Sequence, residues 1–167
     1  MGNLPDRGAV LLERLAAAAS AHDLDALVDC FAPDYRNETP AHPAQGFTGR
    51  EQVRRNWEQI FAFMPDITAT VLRSAYDREV VWSEWQMAGT RGDGTALQMA
   101  GVIVFGVRGE QFTWARWYLE PVQAGGPGVN EALRRHVGAE SSAAMATGAA
   151  IAPGTGPAAG GRPGTGP

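Results

Sequence analysis

Three ionisable side chains in this sequence could move protons, namely Glu38, His42 and Glu120. Glu38 ends a short polar segment and comes directly before Thr39 and Pro40. Aromatic neighbours would desolvate its carboxyl group and raise its pKa toward the range that suits a general base. A positioned base contributes on the order of 10²–10⁴ in rate. These residue types therefore indicate acid–base chemistry.

Glu38 and His42 also have structural interpretations. Glu38 has the opposite strand parity to Tyr35 and Asn37, so it would face away from them unless a bulge or the strand end reversed it. His42 lies in a proline-flanked loop. It could swing over a cavity entrance as a proton shuttle, or it could be an ordinary exposed loop residue.

Glu120 forms a polar row of period two with Arg116 and Tyr118. Alternation along the strand places this row on the outer face of a sheet, where Glu84 could pair with Arg116 across strands. Glu120 would then be structural.

Other chemistries lack their motifs. The three histidines, His22, His42 and His136, are scattered, and no HxH, HExxH or CxxC spacing occurs, so we expect no metal site. No GxGxxG or GxxxxGK[ST] motif follows a predicted strand, and no GxSxG motif is present. We therefore expect a site that works without a bound cofactor.

The composition predicts one globular domain with an appendage. The 167 residues are 44% hydrophobic, with 14 Lys and Arg against 18 Asp and Glu, which argues against nucleic-acid binding. No apolar run approaches the ~18–20 residues that span a membrane, and Glu13 and Arg14 interrupt the N-terminal apolar stretch. We expect a cytoplasmic protein that contacts no membrane, with its one cysteine, Cys30, buried in a helical stretch.

Apolar periodicity predicts three helices in the first part of the chain. The first begins with Asp6 as its N-cap, and the second begins at Asp23 and ends at Pro33. A short strand, YRNET, follows. The third helix should begin at residues 48–51, where TGRE matches the capping box, and should end at Pro65.

From Ile67 onward the pattern alternates with a period of two, in runs joined by short Gly/Asp turns. This predicts an antiparallel meander and an α+β fold. The predicted domain spans residues 1–122, followed by a linker and short helix at 123–140 and a disordered Gly/Pro/Ala-rich tail at 141–167. The four predicted strands are ITATVLRSAY, EVVWSEWQMAGT, TALQMAGVIVFGV and QFTWARWYLE.

The segments AHDLDALVDCFAPDY, GFTGREQV and RWYLEPV, in this order, resemble the SnoaL-like branch of the nuclear-transport-factor-2-like superfamily over residues 7–122. The resemblance implies a cone-shaped barrel, in which a curved, mainly antiparallel sheet is wrapped by three N-terminal helices around an apolar pocket. Relatives include polyketide cyclases, ketosteroid isomerases, dehydratases and limonene-epoxide-hydrolase-like enzymes, so the fold leaves the chemistry open. In cyclase-like members an acid on the last strand acts as the base, which makes Glu120 a candidate.

The resemblance also implies which strand faces line the pocket. Mainly apolar side chains with a few polar ones, Ser83 among them, would suit a flat hydrophobic ligand oriented by hydrogen bonds. Alternatively, the same side chains fill each other's space as core. The residues predicted to contact the ligand are Tyr35, Asn37, Thr39, Trp57, Phe61, Trp85, Met87, Met99, Ile103 and Trp117.

The sequence departs from the catalytic patterns of these relatives. Thr39 and Gly101 occupy the base and acid positions of a ketosteroid-isomerase-like site, and neither can do that work. For an epoxide-hydrolase-like site, Tyr35 and Asn37 match the residues that help to hold a water. The Asp–Arg–Asp relay of that site is absent, because its positions fall on Trp85, Met87 and Trp117.

Two functions are therefore predicted. In the first, the protein is an enzyme that cyclises, isomerises, dehydrates or hydrolyses a hydrophobic polyketide- or steroid-like substrate, and one of the three ionisable residues moves the proton. In the second, the pocket is a non-catalytic ligand-binding or dimerisation module. The aromatic outer face, with Trp82, Trp114 and Tyr118, predicts a homodimer.

Overall fold

Three helices form in the first part of the chain, as the apolar periodicity predicts. In the computed structural model, which describes residues 4–147 and the side chains of residues 7–138, α1 spans Leu4–Ala21, α2 spans Leu24–Asp29 and α3 spans Arg50–Phe63. Asp23 is the N-cap of α2, and its Oδ1 accepts a hydrogen bond of 3.0 Å from the Ala26 amide.

The predicted ends of these helices need three corrections. Asp6 lies inside α1, which begins at Leu4, so it is not the N-cap. Helix α2 ends at Asp29, so Pro33 does not end it. The capping box does not form, because Gly49 is the N-cap of α3 and no side chain caps that end.

Six strands form one curved sheet that does not close into a barrel. They are β1 (Phe31–Glu38), β2 (Phe47–Thr48), β3 (Thr68–Asp77), β4 (Val80–Thr90), β5 (Ala96–Arg108) and β6 (Gln111–Pro121). Their order is β2-β1-β6-β5-β4-β3. The β1–β6 pair is parallel, and the other neighbouring pairs are antiparallel. The predicted α+β fold with a mainly antiparallel sheet is confirmed.

Gly101 is a position of β5 where the neighbouring backbone of β6 leaves no space for a side chain. It lies opposite Trp85 on one side and Leu119 on the other. A Cβ atom at this position would lie 2.0 Å from the Tyr118 carbonyl oxygen, so only glycine fits here without moving the backbone.

The core fills one end of the concave sheet face. Phe105 and Phe112 stack there with 4.1 Å between ring centroids. Leu11, Leu12 and the buried Cys30 belong to the same cluster, which confirms the predicted burial of the cysteine. This end of the sheet therefore has no space for a ligand, and the other end positions the site.

A second unit begins at Ala124, beyond the unit that ends at Gln123. It contains α4 (Val129–Thr147), where Glu131 and Arg135 form an i,i+4 ion pair of 2.5 Å. The helix extends seven residues into the stretch predicted as tail, and residues 148–167 of that tail lie outside the described residues. Within residues 4–147, no helix has the length and apolarity needed to cross a membrane.

Candidate functional site

A cavity of about 340 Å³ lies between α3 and the open end of the concave sheet face. Its walls are mainly aromatic and aliphatic, with a few uncharged polar side chains. The lining residues are Phe31, Tyr35, Asn37, Thr39, Gln45, Phe47, Val53, Asn56, Trp57, Ile60, Met64, Ile67, Met87, Met99, Trp117 and Leu119.

Most of the residues predicted to contact a ligand lie around this cavity. Strand alternation places the β1, β4, β5 and β6 side chains on its sheet wall, and α3 contributes the tryptophan of the opposite wall. Those that line it are Tyr35, Asn37, Thr39, Trp57, Met87, Met99 and Trp117.

Three of the predicted ligand contacts lie elsewhere. Trp85 and Ile103 are on the predicted face but are completely buried, at 0% exposure, in the packed end of the sheet. The Trp85 indole donates to Ser83 Oγ at 2.8 Å, so Ser83 is also part of the core and does not line the cavity. Phe61 stacks on His22, with 4.7 Å between ring centroids, and does not line the cavity.

Several lining residues were not predicted. Val53, Asn56 and Ile60 lie with Trp57 on one face of α3, at the i, i+3, i+4, i+7 spacing of a helix, and Met64 follows as the C-cap residue. Helical periodicity could have found Asn56 at once. Gln45 and Phe47 come from a 3-10 helix and a two-residue strand, which carry no periodic signal.

A chain of hydrogen bonds orients the Asn37 amide. Trp117 Nε1 donates to the Tyr35 hydroxyl at 3.2 Å, and Tyr35 donates to Asn37 Oδ1 at 3.1 Å. An indole N–H can only donate, so the Tyr35 hydroxyl accepts a hydrogen bond from it and donates its own O–H to the amide oxygen. Among the described residues no acceptor bonds Asn37 Nδ2, and Asn37 lines both this cavity and the open depression beside it.

Tyr35 stays protonated in this position. Burial raises the pKa of its hydroxyl well above the ordinary value near 10, since a phenolate would be desolvated. The side chain is 1% exposed. Tyr35 can therefore hold and polarise Asn37, but it cannot act as a base near neutral pH.

Glu38 lies on the other side of β1. Its Oε2 accepts a hydrogen bond of 2.7 Å from Arg116 Nε, and Arg36 lies 3.1 Å from its Oε1. The hydrogen bond from Arg116 lowers the pKa of the Glu38 carboxyl group. The expectation of a raised pKa is wrong, and Glu38 lines an open depression with Arg116 and Tyr118 instead of the cavity.

His42 and Glu120 contact each other outside the cavity. His42 Nε2 lies 3.0 Å from Glu120 Oε1, and both side chains are about half exposed. Thr39, which does line the cavity, donates from Oγ1 to the His42 carbonyl oxygen at 2.7 Å. Neither candidate for proton transfer thus reaches the space where a ligand would lie.

The expected pair of Glu84 and Arg116 is wrong. The register sets Glu84 level with Val102, and Arg116 level with Val104. Glu84 binds Arg73 at 3.3 Å. The pair does not form because β5 lies between β4 and β6, and because the two residues are also offset by two positions in the register.

The lining set contains Tyr35 as its one ionisable side chain and has no Asp, Glu, His, Cys, Lys or Arg. Within the part of the chain that the structure describes, no group of three His, Cys, Asp or Glu side chains is placed to hold a metal ion. This cavity can exclude water, position an apolar molecule and donate hydrogen bonds to it.

The family model of the SnoaL-like domain matches residues 12–115, the part of the chain that contains the whole β1–β5 region and the cavity helix. The chain belongs to the SnoaL-like family. A search of curated proteins gives no significant match.

Solved structures share the fold of this SnoaL-like protein. IdmH of Streptomyces antibioticus, described as a proposed polyketide cyclase, is 22% identical, with 68% of this chain and 90% of IdmH covered and a TM-score of 0.58. A Mycobacterium tuberculosis epoxide hydrolase described as LEH-like is 17% identical, with 69% and 84% covered and a TM-score of 0.60. Rv0760c of Mycobacterium tuberculosis, solved with estradiol-17beta-hemisuccinate, is 17% identical, with 67% and 92% covered and a TM-score of 0.58.

Proposed function

We propose that the cavity binds a neutral, mainly apolar small molecule that carries an acceptor oxygen, such as a carbonyl group. The observation that carries this proposal is the lining itself, in which aromatic and aliphatic walls surround an Asn37 amide with a free Nδ2 donor. Such a pocket, mostly apolar with a few placed polar groups, is the usual form of a small-molecule site.

The ligand is neutral because the walls offer no counter-ion. A carboxylate or ammonium group moved from water into this cavity would lose its hydration without meeting an opposite charge, which is costly. Glu38, which could balance a cation, is bound by Arg116 on the other side of β1.

We propose that the reaction is a ring closure that needs no proton transfer. Isomerisation, dehydration and hydrolysis ordinarily use a general base, and the cavity lining has no Asp, Glu, His, Cys, Lys or Arg that could act as one. An intramolecular cycloaddition of a polyene to an enone forms two σ bonds at the expense of two π bonds and moves no proton. The cavity would promote it by holding both ends of the chain together, while Asn37 polarises the enone oxygen.

Binding without turnover is the second candidate. The observation that favours it is that Glu38, His42 and Glu120 all lie outside the cavity. A carrier or sensor needs the apolar walls and the hydrogen-bond donor but no reacting group.

A flexible trienone that cyclises slowly in water distinguishes the two candidates. The ring-closure proposal predicts a faster first-order cyclisation in the presence of protein. In Asn37→Leu this rate should fall by about threefold to tenfold, the factor of one ordinary hydrogen bond, because little charge develops on the enone oxygen in the transition state. Gln86→Leu, on the outer face of β4, is the matched control and should leave the rate unchanged. Binding of the trienone without any acceleration would reject the enzyme proposal and retain the carrier.

We further propose that the outer sheet face forms a homodimer. Trp82 is 52% exposed and Tyr118 is 44% exposed, and on the intervening strand β5 the exposed Val102 pairs with Tyr118 while Val104 pairs with Trp82. Burial of this aromatic area in a second copy would remove it from water. Sedimentation at tens of micromolar should give twice the chain mass, and Trp82→Glu should give the chain mass.

A further inference from the structure

A second amide faces the cavity from α3. Asn56 lines the cavity, and its Oδ1 accepts a hydrogen bond of 2.8 Å from Gln52 Nε2, one helical turn earlier. Gln52 does not line the cavity. The oxygen of Asn56 is thus taken by a neighbour on its own helix.

Arg55, which does not line the cavity, fixes the orientation of the Gln52 and Asn56 amides. Arg55 donates to Gln52 Oε1 from Nε at 3.2 Å and from Nη2 at 2.6 Å. A guanidinium group has donors and no acceptor, so the oxygen of Gln52 must face Arg55 and its NH₂ group must face Asn56. Rotating either amide by half a turn would bring two donors or two acceptors together.

The Nδ2 group of Asn56 is therefore left to donate. Among the described residues, no acceptor bonds it. The Asn37 amide is oriented in the same way, because the series of hydrogen bonds that reaches its oxygen begins at the Trp117 indole, another group that can only donate. Two independent series of hydrogen bonds, one on the sheet and one on α3, thus end in amide nitrogens of cavity-lining residues.

We propose that Asn56 is a second ligand-binding donor, so that the cavity selects molecules with two acceptor oxygens, one for Asn37 and one for Asn56. The proposal rests on the proposed function, since it describes what the same cavity accepts. Gln52 and Arg55 are positioning residues that keep the Asn56 amide turned toward the ligand. The chemical class is a neutral diketone or a molecule with equivalent acceptor oxygens at two sites.

The physical basis of the selectivity is the fate of the two amide donors. A bound hydrocarbon displaces the water that these donors bind and leaves them without an acceptor, whereas each acceptor oxygen of a ligand restores one hydrogen bond. Each oxygen should strengthen binding by about threefold to tenfold, the factor that one ordinary hydrogen bond gives.

A naphthalene series of constant shape tests this proposal by calorimetric titration of the full chain. The probes are 2,6-diethylnaphthalene, 2-acetyl-6-ethylnaphthalene and 2,6-diacetylnaphthalene, which carry no, one and two acceptor oxygens. The native protein should bind them with increasing affinity in that order. Asn56→Leu should bring the diacetyl probe down to the affinity of the monoacetyl probe and leave the diethyl probe within about twofold.

The positioning role has its own readout. Gln52→Leu removes the group that fixes Asn56, so the affinity ratio of diacetyl to monoacetyl probe should fall while the affinity for the diethyl probe and the thermal midpoint change little. Gln59→Leu, on the same helix but outside the cavity, should leave the ratio unchanged.

The possible failures are distinguishable. If none of the probes binds the native protein, both the proposed function and this inference are overturned. If all three bind with equal affinity, or if Asn56→Leu weakens all three alike, the role of Asn56 is overturned while the apolar binding site stands.

Discussion

Arg116 binds Glu38 directly across the parallel pair of β1 and β6, with 2.7 Å between Nε and Oε2. The neighbour of Glu38 on β1, Asn37, is buried and lines the cavity, which Glu38 does not reach. One step along β1 thus separates a charged outer surface from an uncharged inner one. This alternation decides which chemistry the cavity can perform.

Replacing Arg116 should raise the pKa of Glu38. In Arg116→Met the hydrogen bond is lost, so the pKa of the Glu38 carboxyl group should rise toward its ordinary value near 4.5. Because the pKa of Glu38 is lower in the folded state than in the unfolded chain, the ionised carboxylate stabilises the fold at pH values above the unfolded-state pKa. That stabilisation is lost as the pH falls through the folded-state pKa. NMR titration of the Glu38 carboxyl carbon measures the change, and an unaltered pKa would contradict the account.

Glu38→Gln should leave ligand affinity unchanged, because Glu38 does not line the cavity. The diethyl and diacetyl naphthalene probes provide the measurement. A large loss of affinity in this variant would mean that the carboxylate reaches the ligand after all.

Tyr35 should limit stability at high pH. Its pKa is higher in the folded state than in the unfolded chain, so the protonated hydroxyl contributes its full stabilisation of the fold below about pH 10. This stabilisation is lost progressively as the pH rises from there toward the folded-state pKa. Phenolate absorbance should show this tyrosine titrating together with unfolding. In Tyr35→Phe the alkaline loss of stability should be smaller, whereas an unchanged alkaline transition would show that other groups cause it.

Cys30 should be unreactive in the folded protein. The thiol is completely buried, and burial raises its pKa to about 11. A thiol-reactive dye should label it only at the rate of unfolding, and labelling should become fast in denaturant. Rapid labelling of the native chain would show that this part of the core opens readily.

Gly101→Ala should destabilise the domain by roughly 1–3 kcal/mol, because the new methyl group would collide with the Tyr118 carbonyl oxygen. Gly92→Ala is the matched control, since a Cβ atom there meets nothing within 4 Å. Denaturant unfolding compares the two variants. Equal stabilities would mean that the backbone around residue 101 can accommodate a Cβ atom.

The fold could be predicted because its signals are local. Period-two alternation in β4, β5 and β6 identified the strands and the side chains on each face, and the i, i+4 pattern identified the helices. Pro33 misled the interpretation of α2, since proline usually ends a helix. In the structure it lies between Phe31 and Arg36, where the pairing of β1 with β6 is irregular and no ladder hydrogen bond from its nitrogen is needed.

The limits of the cavity could not be predicted from alternation. A strand pattern says which face Ile103 and Met99 share, but not that the helices and aromatic core fill the end near Ile103 and leave the end near Met99 open. The state of Glu38 depends on Arg116, which is 78 residues away in sequence, so its lowered pKa also has no local signal.

The most direct test of the binding site uses the indole N–H resonances of the five tryptophans. Trp57 and Trp117 line the cavity, whereas Trp82 and Trp114 lie outside it. On addition of 2,6-diacetylnaphthalene, we expect the Trp57 and Trp117 resonances to shift with one common dissociation constant and the Trp82 and Trp114 resonances to stay in place. Shifts confined to Trp82 and Trp114, or no shifts at saturating probe, would contradict this expectation.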